Sequence, residues 1–293
     1  MSNVQEEKNK TVGGMLYLVA TPIGNLADMT ERAKKVLREV DFVAAEDTRN
    51  SGKLLACLEI KQEIISYFEH NKRERGEVIL KRLQAGESCA LITDAGMPAI
   101  SDPGEDLVAL CAEHGVPVTV IPGCCAAVTA LALSALSTAR FTFEGFLPTD
   151  NRTRRERLDE LQYEQRTMIL YEAPHRLTDT LKDLLKTLGN RKIAICRELT
   201  KINEEILRTD LESAIEFYNQ NKPRGEYVLI LEGGATLGIA PTKKAPSPTD
   251  GMTGEEMVAY FMETGMERMD AMKSAAKQLG ITKSELYRQL HKG

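Results

Sequence analysis

From Met15 onward, short apolar runs alternate with longer stretches whose apolar positions recur every three to four residues. The short runs Met15–Ala20, Phe42–Asp47, Glu63–Tyr67, Ser88–Thr93 and Val116–Ile121 predict strands. Asp28–Val40, Ser51–Leu58, Glu74–Gln84, Glu105–Glu113 and the apolar stretch CAAVTALALSAL predict helices, the first with Asp28 and Glu31 placed as a capping box. Strands regularly interleaved with helices imply parallel βαβ units with right-handed crossovers. A second series follows. It has an extended segment Phe141–Pro148, a basic helix Asn151–Gln162, a strand Arg166–Pro174 and a helix from His175 to Leu188. Three further strands are predicted at Lys192–Leu199, Asn203–Thr209 and Gly225–Gly233. The first two of these, joined by Thr-Lys-Ile, read as an antiparallel hairpin, so this half is expected to hold a mixed sheet.

The pattern thus divides the chain into a disordered tail (1–14), two α/β domains (15–122 and 123–234), a linker rich in Gly, Pro, Ala and Thr (235–251), and a small helical piece (252–293). The helical piece contains AAKQLG–ITKSELYRQL, which has the spacing of a helix-turn-helix. As a DNA reader it would offer Lys283, Ser284 and Tyr287 to a groove. As a helical hairpin it would serve RNA docking or dimer contacts, and the negative charge of the chain favours the RNA-related role.

Composition narrows the options. The formal net charge is −5, so any nucleic-acid contact must come from a local patch. No apolar run approaches the roughly 18 residues of a membrane helix, and the start has no signal-peptide core, which points to the cytosol. Six cysteines lack ligand or CxxC spacing and read as reduced thiols. The dinucleotide fingerprint, the Walker loop, HExxH and GxSxG are all missing, so neither NAD, ATP, a bound metal nor a serine nucleophile is indicated.

Ligands of open α/β sheets bind beyond the carboxyl ends of strands. Three strand ends here carry unusual turn chemistry: TPIGNL after the first strand, TDAGMPAISDPG from Thr93 to Gly104, and IPGCCA after the fifth. Any one is an ordinary strand-to-helix turn, but three in one domain point to a ligand site. The middle loop, twelve residues with two Asp, two Pro and two Gly, exceeds what a connector needs. Its SDPG end is expected to brace the loop and start the next helix.

The strings TPIGNLxDMTxRA, AxEDTR, ITDAGMPAISDPG, IPG, GFLP, LYEAPHR, CRELTKxxEE and GEYVL, in this order from Met15 to Gly234, resemble the tetrapyrrole-methylase superfamily of S-adenosylmethionine enzymes. The match is to the bacterial branch that 2′-O-methylates a cytidine of small-subunit (16S) ribosomal RNA. The resemblance implies a homodimer of two α/β domains with the S-adenosylmethionine site in the cleft between them. Carried over residue by residue, the donor site would comprise Thr21, Pro22, Asp94, Gly96, Met97, Cys125, Ala126, Tyr171, Ala173 and Gly225. The family commonly has Ser where Cys125 stands, and a thiol is a poor hydrogen-bond partner.

A ribose hydroxyl is a weak acid, so a base or cation should assist its methylation. Asp47 (or Glu46) and Glu198 are candidates to orient or deprotonate it, with Arg49 or Lys201 assisting. Each stands equally well as a member of a structural ion-pair network. The RNA partner, expected within an assembled ribosomal subunit, needs cations. Arg152, Arg154, Arg155 and Arg157 fall within two helical turns, and Lys72 and Arg73 form a second group. Two other readings stay open: a tetrapyrrole C-methyltransferase, and a ligand-sensing regulator that binds DNA through the helical tail.

Overall fold

The structure, a computed structural model, describes residues 10–239, 249 and 252–290. The described residues up to Ile239 form one compact unit and the remainder a second. The expected tail and linker therefore lie partly outside the described residues. Residues 10–14 are tied down: the Val12 N–H donates to the Tyr17 hydroxyl at 2.8 Å, and Gly14 N–H to the Glu87 carbonyl at 3.0 Å. Gly234–Leu237 at the other end forms a 3-10 turn.

The first sheet contains β1 (Leu16–Val19), β2 (Phe42–Ala45), β3 (Glu63–Ser66), β4 (Cys89–Ile92) and β5 (Val118–Ile121), all parallel, in the order β3-β2-β4-β1-β5. Successive side chains point to opposite faces, and both faces are covered. One face, with Val19, Val43 and Ile92, packs on α1 (Glu31–Glu39) and α2 (Thr48–Cys57). The other, with Leu16, Phe42 and Leu91, packs on α3 (Lys72–Gln84) and α4 (Glu105–Glu113). This two-sided burial explains why β2 and β4 read as unbroken apolar runs. The cap of α1 differs from expectation. Thr30, not Asp28, accepts from the Ala33 N–H, because Leu26–Asp28 forms its own 3-10 turn capped by Asn25.

The helix after β5, α5 (Ala126–Leu133), leaves the first sheet and packs on the second. That sheet contains β6 (Phe141–Phe146), β7 (Thr167–Glu172), β8 (Lys192–Arg197), β9 (Glu205–Asp210) and β10 (Tyr227–Leu231), in the order β6-β7-β10-β8-β9. Only β6 and β7 are parallel; the other pairs, including the β8–β9 hairpin, are antiparallel, so the sheet is mixed. Its far face packs on α6 (Asn151–Leu161), α7 (Leu177–Leu188) and α8 (Leu211–Gln220) through leucines at helical spacing, such as Leu177, Leu181, Leu184 and Leu188.

The smaller unit comprises α9 (Gly254–Glu263), α10 (Arg268–Gln278) and α11 (Lys283–Leu290) around Met257, Ala271, Met272, Ala275 and Leu286. Thr253 and Glu256 form a reciprocal capping box at the start of α9. Gly280, at φ 68°, turns the chain between α10 and α11, as the helix-turn-helix spacing predicts. The last three residues of the expected helical piece lie outside the described residues.

Candidate active site

Strands β4, β1 and β5 are neighbours, so the three loops that follow them meet although Thr21 and Thr93, in the first two of these loops along the chain, stand 72 residues apart in sequence. Thr21 and Gly96 exchange both backbone hydrogen bonds, at 2.9 and 3.1 Å, and the Thr21 hydroxyl donates to the Thr93 carbonyl at 3.1 Å. Thr21 is fully buried and braces the long loop from behind. The loop then doubles back through backbone that L-residues rarely adopt. Gly96 (φ 90°) and Gly104 (φ 146°) suit it, but Ala99 (φ 67°) and Ser101 (φ 63°) adopt it at a cost of about 1–3 kcal/mol each. A Cβ on Gly104 would meet Leu91 at 2.8 Å. Strain of this kind persists only where the surroundings over-determine it, and it gathers at ligand sites.

An open cleft of about 410 Å³ lies against this loop, a volume suited to a ligand of cofactor size. The loop lines it with Asp94–Met97 and Ile100–Asp102. Across from them stand Tyr171–Pro174 at the end of β7 and Glu226–Val228 at the start of β10, with Ile23, Cys125, Ala126, Phe146, Cys196 and Leu199 completing the wall. Of the predicted donor residues, Asp94, Gly96, Met97, Cys125, Ala126, Tyr171 and Ala173 line the cleft. Thr21, Pro22 and Gly225 do not; they sit behind or beside lining residues.

The lining carries four carboxylates, Asp94, Asp102, Glu172 and Glu226, and no Lys, Arg or His. Three have partners. Glu172 is 2% exposed and accepts from Thr180 Oγ1 at 2.5 Å and Ala173 N at 2.9 Å, with Arg176 Nε 3.7 Å away. Glu226 accepts from Lys201 Nζ at 2.8 Å, and Asp94 from Asn50 Nδ2 at 2.9 Å. Asp102 has the Thr93 hydroxyl as a hydrogen-bonding neighbour and no cation. Burial first, then the charges of Glu46 and Asp94, push its carboxyl up to about 6. Burial and Asp94 also raise Glu46, whose Oε2 accepts from Thr93 Oγ1 at 3.3 Å. An acid-lined, cation-free cleft with apolar walls repels phosphates and accommodates a positively charged ligand.

The predicted acid–base residues are not among the lining residues. Asp47 is the N-cap of α2: it accepts from the Arg49 N–H at 2.8 Å and grips the Arg49 guanidinium through both oxygens at 3.1 and 2.9 Å. Those bonds hold the Asp47 carboxyl down to about 2, while the Arg49 side chain projects into solvent. Glu198 and Lys201 belong to the turn of the β8–β9 hairpin. Lys201 Nζ donates to Glu198 Oε1 at 2.9 Å as well as to Glu226. Burial opposes the charge on Glu198, but Lys201 and the Glu226 N–H outweigh it and lower the carboxyl. The same turn sits tightly on its neighbours. A Cβ on Gly24 (φ 152°) would meet the Lys201 side chain at 2.4 Å, and one on Gly225 (φ 80°) the Glu198 carboxylate at 2.6 Å.

The basic runs are also largely engaged. Arg154 is a structural residue, 12% exposed, bound to Asp183 at 2.8 Å and Thr180 at 2.8 Å. Arg157 pairs with the buried Glu144 and with Glu160, Arg152 with Glu156, and Lys72 with Glu69 and Asp106. Among the described residues Arg155 and Arg73 stay exposed with no such partner. Sequence reasoning missed Asp102, Glu226 and Phe146 as lining residues. Asp102 stands inside SDPG, whose Pro and Gly point to a brace. Only the doubling back of the loop turns its side chain to the same cleft as Asp94.

Two α/β layers joined by one helix, with an acid-lined cleft at the strand ends, define a two-lobed ligand-binding enzyme fold. The chain belongs to the Tetrapyrrole (Corrin/Porphyrin) Methylases family, whose signature it matches over residues 15–215, and is a methyltransferase. It is 46% identical over 275 residues to ribosomal RNA small subunit methyltransferase I of Synechocystis sp., spanning 94% of this chain and 96% of that protein. With the protein of the same description from Halalkalibacterium halodurans it shares 43% identity, covering 99% of both. A solved structure, the uroporphyrin-III C-methyltransferase of Thermus thermophilus complexed with S-adenosylhomocysteine, has the same fold. It superimposes with a TM-score of 0.54 at 20% identity, over 76% of this chain and 99% of that one.

Proposed function

We propose that this protein transfers the methyl group of S-adenosylmethionine to the ribose 2′-oxygen of a cytidine in small-subunit ribosomal RNA. The observation that carries the reading is the cation-free cleft with four carboxylates at the loops the family uses. S-Adenosylmethionine bears a sulfonium and an ammonium, so Asp94 on the long loop favours it, and Met97, Ile100 and Ala126 supply apolar contact. When bound, it supplies an activated methyl group; the protein's task is to hold two reactants in line, worth roughly 7–11 kcal/mol of barrier. The acceptor follows from the long, high-identity match to the ribosomal RNA methyltransferases. A tetrapyrrole acceptor has the broad family description and a fold likeness at 20% identity in its favour, against 43% and 46% identity over nearly the whole chain for the ribosomal RNA methyltransferases. Nothing in the cleft can neutralise an RNA backbone, so phosphates must be met outside it, and Arg155 and Arg73 are the exposed candidates. The substrate is an assembled small subunit, the enzyme acts as a homodimer in the cytoplasm, and the helical unit assists RNA docking. Among the described residues no helix is long and apolar enough to cross a membrane.

The test is methyl transfer from labelled donor to small subunits isolated from cells that lack this modification. Label is expected in the RNA, at a cytidine whose 2′-O-methyl group resists alkaline cleavage; label in protein or on a base would end the reading. In the same assay, reversing Arg155 and Arg73 to Glu should raise KM for subunits and flatten its salt dependence while leaving donor binding intact. An unchanged salt slope would remove both residues from the RNA surface.

A further inference from the structure

Four carboxylates line the cleft, and their surroundings separate them. Glu172 is enclosed by Thr180, the Ala173 N–H and Arg176, all within its own segment. Glu226 is held by Lys201, and Asp94 by Asn50. Each of these three carboxylates thus has an N–H donor seated on it. Asp102 differs. The groups facing it are the Thr93 hydroxyl at the end of β4, the acids Glu46 after β2 and Asp94 on its own loop, and Tyr171 of β7. None is a cation. Its backbone is held by Ser101 in left-handed geometry on one side and by Gly104, tight against Leu91, on the other. Asp94–Met97 and Asp102 therefore face one cleft from the two arms of a single locked loop.

We propose that Asp102 is the catalytic base that accepts the ribose 2′-hydroxyl proton, an assignment that rests on the methyl-transfer reading above. The 2′-O–H bond breaks as its proton passes to the Asp102 carboxylate. The oxygen forms a bond to the methyl carbon, and the S–CH₃ bond breaks with its electron pair going to sulfur. Neutral S-adenosylhomocysteine departs, and Asp102 returns its proton to water. The positive charge of the sulfonium is thereby replaced by one released proton. The acid neighbours serve this step, since they raise the proton affinity of Asp102 toward the neutral range where a general base works best.

The test compares Asp102→Asn with the unaltered enzyme on undermethylated small subunits. The expected result is a fall in kcat of at least roughly 100-fold, the usual scale for a lost general base, with S-adenosylhomocysteine affinity by calorimetry changed less than about threefold. In the unaltered enzyme kcat/KM should rise with pH through a limb near 6. The limb in kcat should lie lower, because the bound sulfonium favours the charged carboxylate. Retention of more than a third of the turnover, or a loss of S-adenosylhomocysteine affinity that parallels the loss of turnover, overturns the assignment. So does a kcat/KM profile of the unaltered enzyme that is flat between pH 5 and 7.5, a measurement that does not depend on the variant folding. If the unaltered enzyme transfers no methyl group to RNA, the functional reading itself fails and the base falls with it.

Discussion

Two turns in this molecule look alike in the backbone and differ in their charges. The loop from Thr93 to Gly104 and the hairpin turn from Glu198 to Lys201 each place two non-glycine residues at positive φ: Ala99 and Ser101 in one, Glu198 and Thr200 in the other. Each carries acid next to cleft-lining residues: Asp94 and Asp102 line the cleft themselves, and Glu198 precedes the lining residue Leu199. In the hairpin turn every charge has its complement: Lys201 lies between Glu198 and Glu226, and the Glu226 N–H also donates to Glu198. In the long loop, Asp94 has a neutral amide and Asp102 a hydroxyl that it shares with Glu46, the acid that follows β2. Compensated charge holds two segments together. Uncompensated acid costs stability and leaves a group free to bind a cation or take a proton. The hairpin turn is thus a clamp, and the long loop a site.

The comparison breaks most visibly at Gly225. Alanine there would enter the left-handed region and meet the Glu198 carboxylate at 2.6 Å, so the clamp must open. Gly225→Ala is expected to cost about 2–3 kcal/mol, seen as a fall of roughly 4–12 °C in Tm. An unchanged Tm would show that the turn has slack and is no clamp.

Neutralising one acid in each turn should have opposite signs. Glu198 has a lowered pKa, so its contribution is present above the unfolded value and is lost as pH falls through the folded one. Glu198→Gln should therefore destabilise at pH 7.5, by about 0.5–1 kcal/mol after allowance for solvent screening. Asp102 has a raised pKa, about 6 against 3.8. The folded state binds the extra proton between these values, so stability falls as pH rises from about 4 to 6 and stays lower above that window. Asp102→Asn should gain about 1 kcal/mol at pH 7.5, since solvent partly screens the half-buried carboxylate, and nothing at pH 4. Chemical denaturation at the two pH values reads both variants; equal signs would erase the distinction between clamp and site.

The smallest effect falls on the third loop. Cys125 occupies the N-cap of α5 with no side-chain cap hydrogen bond, and the Ala127 N–H turns to the Tyr171 hydroxyl instead. Cys125→Ser should supply the missing acceptor, stabilise by about 0.5–1 kcal/mol and tighten S-adenosylhomocysteine binding a few-fold at most. If titration calorimetry and Tm both stay unchanged, the under-satisfied character of the cleft side does not extend to this cap.

Much of the layout could be read along the chain because burial leaves a local trace. β2 and β4 are covered on both faces and contain no polar position, and α7 shows its leucine stripe at helical spacing. The Thr-Lys-Ile connection revealed the hairpin. The α1 cap is ambiguous in sequence because Asp28 and Thr30 are both good caps, and which one is used depends on the 3-10 turn before it. The site was legible only in part. Gly96, Met97 and Tyr171 stand in strings whose turn chemistry is visible in sequence, whereas Asp47 and Arg154 drew notice as charges at a strand end and on a helix. Their partners, Arg49 for one and Asp183 for the other, decide what those charges do.

By itself the sequence determined the elements and the three unusual strand ends, because periodicity, capping and turn residues act within a few positions of one another. Tertiary structure decided that β1 lies between β4 and β5, so that three distant loops meet, and that α5 crosses to the second sheet to close the cleft. It also decided which acids are paired and which are not. Pairing depends on side chains brought within 3 Å of each other by chain segments tens of residues apart. No local pattern carries that information, and it is what separates Asp102 from the other carboxylates of the cleft.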